Sequence, residues 1–185
     1  MDMESSLGEV IMTSDDLSEK ILNIAHDIVS FFSPDELKES ALIGIQSGGV
    51  PLAHRISHII QNETSFAVEV GSLDITFYRD DFGSRIPLPT IRETSIPFDI
   101  NNRIIILVDD VLQSGRSVRA ALDALIDYGR PAQIRLVSLI DRGMREYPIN
   151  ANFVGCTIKC DADWRVSVDW GEFGGSDCAY KIKAK

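Results

Sequence analysis

Two adjacent carboxylates, Asp109 and Asp110, stand at the end of the apolar run Ile104-Ile105-Ile106-Leu107-Val108, and Gln113-Ser114-Gly115-Arg116-Ser117 follows shortly after. Neighbouring carboxylates can accept hydrogen bonds from a vicinal diol. A loop of small residues opening into a helix aims backbone N–H groups and hydroxyls at a phosphate. A diol and a phosphate on one ligand describe a phosphorylated sugar. Alone, the two acids would equally suit Mg2+ or simple exposure to solvent. The ordered series of apolar strand, acid pair, small-residue turn and helix start is far more selective. A second small-residue segment, Gln46-Ser47-Gly48-Gly49, ends the apolar run Ala41-Leu42-Ile43-Gly44-Ile45. Glycine there lets the backbone come close to an anion.

Both segments need strands to present them. Ala41 to Ile45, Arg103 to Val108 and Ile134 to Ile140 have the length and apolar character of buried parallel strands. In open parallel sheets, ligands bind at the carboxyl ends of such strands. Helices are predicted between them. Thr13, with Asp16 three residues on, resembles a capping box ahead of Leu17, Ile21, Ile24, Ala25, Ile28, Val29 and Phe32, which share one helical face. Ser33-Pro34 ends that helix, and a short polar turn follows. A second helix runs from Val50 or Pro51 to about Ile60, with proline tolerated in its first turn. A third, marked by Val118, Leu122, Leu125 and Ile126, ends at Gly129-Arg130-Pro131. Ser65 to Val70, Leu73 to Tyr78, Phe153 to Ile158 and Arg165 to Val168 read as further strands. Arg79 to Asn102 mixes charge, glycine and three prolines, and so long a connection in a compact domain is mobile or functional. The alternation of strand and helix predicts an α/β architecture with a mostly parallel sheet covered on both faces.

The 185 residues suit a single domain with a substantial core, and 44% hydrophobic with 25% charged residues fits a globular chain. No apolar run approaches the roughly 20 residues that span a bilayer. The acidic stretch Met1 to Glu9 lacks the blocks of a signal peptide, so the cytoplasm is the expected location, with no membrane partner. A formal charge of −10 argues against non-specific attraction to nucleic acid, which depends on lysines and arginines displacing counterions. Cys156, Cys160 and Cys178 are odd in number and lack a companion histidine for a zinc site, so reduced thiols are expected. His54 and His58 stand one helical turn apart without a third ligand, which reads as an ordinary polar helix face.

The segment Ile104 to Ser117 resembles the diphosphoribosyl-binding signature of type I phosphoribosyltransferases. A narrower resemblance covers nearly the whole chain, to the bifunctional pyrimidine operon regulators and uracil phosphoribosyltransferases of the PyrR family. Its carriers are Leu73-Asp74-Ile75-Thr76-Phe77-Tyr78-Arg79-Asp80-Asp81, Val118 to Leu125, Gly129-Arg130-Pro131 and Asp141-Arg142-Gly143-Met144-Arg145-Glu146. The resemblance implies the type I phosphoribosyltransferase fold in one domain over residues 1–185, with a flexible lid at about 79–102 and a small C-terminal hood. It implies that Asp109 and Asp110 hold the ribose hydroxyls of 5-phosphoribosyl diphosphate. Gln113, Ser114, Gly115, Arg116 and Ser117 would enclose its 5-phosphate, and Gln46, Ser47, Gly48 and Gly49 would form the pyrophosphate loop. Arg79 would neutralise pyrophosphate charge, and Asp141 with Arg142 would lie at the uracil ring. Mg2+ is the implied cofactor, a homodimer or larger homo-oligomer the implied assembly, and conversion of uracil to UMP the implied activity.

The chain departs from the family pattern at several positions. Met144 stands where RNA-binding members carry histidine, and Leu22 and Asn23 stand where they tend to carry threonine and arginine, although His26 is retained. Gly48 replaces an arginine of the pyrophosphate loop. With the acidic charge, these changes weaken the expectation of RNA as a partner. Two alternatives to a uracil enzyme remain: a sensor of uridine nucleotides that regulates transcription, and a purine phosphoribosyltransferase on the same fold.

Overall fold

Strands that are mostly apolar must be covered on both faces, and the three that end near Ile45, Val108 and Ile140 lie side by side in one parallel sheet. The computed structural model describes residues 8–80 and 92–183. The described chain runs β1 (Glu9–Met12), α1 (Ser14–Phe31), α2 (Pro34–Glu39), β2 (Ala41–Ile45), α3 (Gly49–Thr64), β3 (Glu69–Leu73), β4 (Ile104–Leu112), α4 (Arg116–Leu125), β5 (Gln133–Asp141), β6 (Phe153–Thr157), β7 (Trp164–Asp169) and β8 (Cys178–Lys183). The central sheet has the order β3-β2-β4-β5-β6, with every pair parallel. From β2 the chain moves outward to β3, whereas from β4 it moves the other way to β5. The two departing connections leave a crevice at the carboxyl ends of β2 and β4, the switch point at which sheets of this kind bind ligands.

Side chains alternate across the sheet, and the two faces bury separate cores. Leu42, Ile106, Val108, Val137 and Leu139 pack beneath Leu17, Ile21 and Ile24 of α1 and Leu52, Ile56 and Ile60 of α3. Ile43, Ile105, Leu107 and Leu136 face Val118, Ala121, Ala124 and Leu125 of α4. The capping box of α1 is present, with Thr13 accepting from the Asp16 N–H while the Asp16 carboxylate accepts from the Thr13 N–H. Among the described residues no helix is long and apolar enough to cross a membrane.

Four elements differ from the sequence expectation. The polar turn after Ser33 is helix α2, opened by its own capping box of Ser33 and Glu36, with Pro34 in the first turn. Helix α3 continues past Ile60 to Thr64 and stops at Ser65, which takes a left-handed conformation (φ 66°). The two strands expected over Ser65–Val70 and Leu73–Tyr78 are one strand, β3. The Asp74 carboxylate accepts from both the backbone N–H and the hydroxyl of Thr76, which turns the chain into a short 3-10 turn at Thr76–Tyr78. Finally, the hood is not C-terminal alone, because the antiparallel sheet β1-β8-β7 recruits the N-terminal strand β1.

The expected lid also divides. Its stretch 81–91 lies outside the described residues. The following stretch does not project over the sheet but returns along its edge: Ser95 and Ser72 exchange backbone hydrogen bonds of 2.8 and 2.9 Å, and Ile100 is buried.

The face assignment has a direct check. Leu52→Ala, in the α3 core, is expected to lower unfolding free energy by about 2–5 kcal/mol, whereas Leu22→Ala, 40% exposed on α1, stays within about 0.5 kcal/mol of the parent. Denaturant unfolding of both variants reads the difference.

Candidate active site

The crevice is built from three backbone segments. The first is Gln46–Gly49, which continues the sheet by one bond, from Gln46 N–H to Leu73 C=O at 2.9 Å, and then opens directly into α3. The Gln46–Ser47 peptide is cis. A Cβ at Gly48 would lie 1.9 Å from Asp110 Oδ2, and one at Gly49 would lie 2.1 Å from the Val108 carbonyl oxygen. At Gly49 the obstacle is backbone, whereas at Gly48 it is the Asp110 side chain in its present position. The departure at position 48 therefore has a physical counterpart: the carboxylate of Asp110 occupies the space that a side chain there would need.

The second segment is the end of β4 itself. Asp109 and Asp110 fall inside that strand, which runs on to Leu112, rather than in a loop after it. Asp109 is 7% exposed, and burial, reinforced by the neighbouring Asp110 charge, pushes its pKa well above the usual carboxylate range. Asp110 is raised by burial as well, while the backbone N–H of Val111, donating to its Oδ1 at 2.9 Å, works against the shift. The indole of Trp170, buried beneath the hood, approaches Asp110 without completing a hydrogen bond of good geometry.

The third segment is Gln113–Ser117. Gly115 adopts a left-handed conformation (φ 89°), suited to glycine, and as the N-cap residue it brings no side-chain cap to α4. The first N–H of the helix, that of Arg116, donates to the Ser114 hydroxyl at 3.3 Å, and the helix dipole favours an anion beside this turn. Two cavities flank Asp109. One, of about 390 Å3, is bounded by Gln46, Ser47, Gly48, Asp74 and Asp110; the other, of about 220 Å3, by Gln113 to Ser117. Arg79, Asp109, Val111 and Ser117 line both, so the two form one elongated site. Arg79 spans the junction, and its Nη1 donates to the Ser117 hydroxyl at 3.1 Å.

Twelve of the fourteen residues expected from the sequence therefore border or build the crevice, with Gly49 beneath the loop as the start of α3. Asp141 and Arg142 do not line either cavity. Arg142 is 2% exposed, and its guanidinium donates to Cys160 Sγ and to the Asp161 carbonyl, both at 2.9 Å. These bonds hold the turn after β5 in place. The Asp141 carboxylate accepts from Gly143 N–H and pairs with Arg145. Arg116 lines the smaller cavity, but its charge is met by Asp80 and Glu146, and its backbone N–H donates to the Ser114 hydroxyl at 3.3 Å.

Residues that sequence reasoning left without a role also serve the site. Arg145 donates to the Gln113 carbonyl at 2.8 Å and the Ile149 carbonyl at 2.7 Å while holding Asp141, tying the turn after β5 to the phosphate-side loop. The N–H groups of Glu146 and Tyr147 both donate to the Ser114 carbonyl. Asp74, Thr76 and Arg92 line the larger cavity. The first two stand within a motif already singled out, and Arg92 lay unmarked in a polar stretch.

Residues 15–169 match the family described as phosphoribosyl transferase domain. The fold is shared with solved hypoxanthine phosphoribosyltransferases. The enzyme from Trypanosoma cruzi superposes with a TM-score of 0.73 at 14% identity, over 99% of this chain and 94% of that one. That from Staphylococcus aureus gives 0.69 at 17% identity, over 98% and 96%. Fold and site together define a type I phosphoribosyltransferase domain. The chain is 47% identical over 174 residues to the protein named Bifunctional protein PyrR of Roseiflexus sp. (strain RS-1), covering 94% of each. To the protein of the same name from Thermus aquaticus it is 47% identical over 167 residues, covering 90% of this chain and 91% of that one. The chain belongs to the PyrR family of phosphoribosyltransferases.

The raised pKa of Asp109 predicts a trade between site and stability. In the folded protein its protonated form is favoured, so its contribution to stability is fullest at pH below the ordinary carboxylate range and is lost as pH rises through the raised value. Asp109→Asn, which keeps the shape and removes the buried charge, is expected to stabilise the unliganded protein at pH 7 by about 1 kcal/mol or more. The gain shrinks toward acid pH, and ligand affinity falls. Thermal unfolding across pH, set beside ligand titration, checks both.

Proposed function

We propose that the protein transfers the 5-phosphoribosyl group of 5-phosphoribosyl diphosphate to uracil, giving UMP and pyrophosphate. The observation that carries this reading is the pair of joined cavities. A helix N-terminus lies on one side of Asp109 and a glycine loop on the other, matching a ligand phosphorylated at both ends of a diol-bearing sugar. Uracil as the base rests on the relatives named Bifunctional protein PyrR, since the hypoxanthine enzymes share the fold alone.

In this reading the bond from uracil N1 to C1′ forms as the bond from C1′ to the diphosphate oxygen breaks. The electron pair of the breaking bond leaves with the diphosphate, and N1 gives up its proton. No covalent nucleophile on the protein is needed. Ribose hydroxyls donating to Asp109 and Asp110 favour the ionised acids that burial alone disfavours. Those charges then face the ribose as positive charge builds on it. Arg79 meets negative charge at the junction of the cavities, and the N–H groups at the start of α4 hold the 5-phosphate. The turn that follows β5, kept in place by Arg142 and Arg145, borders the base. Mg2+ is held by one or two carboxylates together with substrate phosphates, and Asp109 and Asp110 beside the larger cavity fit that donor set. Asp109 and Asp110 would be the residues to hold the ion, with substrate phosphates as its further ligands. When bound, the ion neutralises charge on the departing diphosphate.

A role in sensing uridine nucleotides is compatible with the same site. Recognition of RNA through α1 is less favoured: His26 is paired with Glu63 of α3 at 2.5 Å, and the exposed neighbour Leu22 is apolar.

Assay of the purified protein with 5-phosphoribosyl diphosphate, Mg2+ and, separately, uracil, hypoxanthine, guanine and xanthine tests the proposal. Turnover with uracil is expected, falling by about a hundredfold or more in Asp110→Ala. Turnover with a purine and none with uracil would replace this reading.

A further inference from the structure

The larger cavity is rich in acid. Asp74, Asp109 and Asp110 line it, and a side chain at position 48 is excluded by the Asp110 carboxylate. A diphosphate entering there needs cations from elsewhere. Among the described residues, the cations in the cavity lining are Arg79 and Arg92.

Contacts of Arg92 and of its two following residues hold it at that wall. Its backbone N–H donates to Asp74 Oδ2, on the same carboxylate whose other oxygen ends β3. Its neighbours are fastened to the sheet edge, Thr94 by its hydroxyl at the Asp74 N–H (3.0 Å) and Glu93 by its carbonyl, which accepts from the Gln46 side chain at 3.3 Å. Its guanidinium lies 5.5 Å from the centroid of the Phe173 ring. Phe173 belongs to the hood and is 54% exposed, so its ring face is open to the guanidinium.

That ring is itself fixed. Arg55 of α3 forms paired bonds to Glu172 (2.9 and 2.7 Å) and to Asp177 (2.8 and 2.9 Å), and stacks over Trp170 at 4.8 Å. The short turn Gly171–Phe173 is therefore clamped to the same helix whose first residue closes the glycine loop. A cation resting on an aromatic face keeps its N–H edge free for an anion.

We propose that Arg92, seated on Phe173, is a cationic contact for the diphosphate of the substrate, and that the hood reaches the leaving-group end of the site through this pair. The inference rests on reading the larger cavity as the diphosphate side. Binding of 5-phosphoribosyl diphosphate with Mg2+, of inorganic pyrophosphate with Mg2+, and of UMP can be measured by titration calorimetry on the intact protein and its variants. Arg92→Gln is expected to weaken the first two by about tenfold or more. UMP, which has no diphosphate, keeps its affinity, and the melting temperature is unchanged. Arg92→Lys recovers part of the loss, and Phe173→Ala weakens the same two ligands to a smaller degree. Parent-like affinity of Arg92→Gln for both diphosphates overturns the inference, as does an equal loss for UMP, which would mark a general structural role. Failure of the parent protein itself to bind either diphosphate is a separate result, and it removes the reading of the cavity along with the inference.

Discussion

The contact between Gly48 and Asp110 governs how the rest of the crevice is arranged. Position 48 has no side chain, and the carboxylate of Asp110 fills the space where the loop after β2 meets the end of β4. The same crowding recurs one residue on, where Gly49 lies against the Val108 carbonyl, and beneath it, where a Cβ at Gly44 would strike the Gly49 carbonyl oxygen at 2.6 Å. Three glycines thus let a helix begin almost on top of a central strand. Acids, glycine loop and helix α3 are held together by that closeness, and the switch point of the sheet becomes a binding crevice.

Closeness has an electrostatic consequence. Two adjacent acids are buried at the floor, and burial raises the pKa of each. Without a ligand, the fold disfavours ionisation of these acids. In the proposed reading, diol hydroxyls, a cation shared with phosphates, or both would favour the ionised acids on binding and so relieve a cost built into the fold. The phosphate-side loop works by a different logic. There the sequence supplies arginines, yet Arg116 is neutralised by Asp80 and Glu146, Arg119 pairs with Asp123, and Arg145 is consumed by carbonyls and Asp141. What remains for the phosphate is backbone, the first turn of α4, with Arg79 and the Ser117 hydroxyl beside it. An anion site of this kind fits a chain whose formal charge is −10.

Much of this was legible because it is local. The capping box of Thr13, the continuously apolar strands and the acid pair followed by small residues are short-range patterns, and each appears where the pattern pointed. Helix α2 was also written locally, in Ser33-Pro34-Asp35-Glu36, but its six residues are too few for a periodic apolar face to announce them. Leu73 to Tyr78 alternates like a strand, and the single carboxylate of Asp74, by capping Thr76, overrides that alternation. Other features depend on partners far along the chain. Strand β1 exists by pairing with β8, Arg142 is turned inward by Cys160 and Asp161, and Arg92 is brought to the crevice by Ser72–Ser95 pairing and by the hood. Nothing in the residues around them signals those partners.

The central claim is that the backbone at position 48 and the carboxylate of Asp110 form one fitted surface for a diphosphoribosyl ligand. Titration of Gly48→Ala with 5-phosphoribosyl diphosphate and Mg2+ tests it most directly, because the added methyl overlaps Asp110 Oδ2 and little else. The account predicts that affinity falls by about tenfold or more while the protein stays folded by circular dichroism. Affinity equal to that of the parent protein would contradict it.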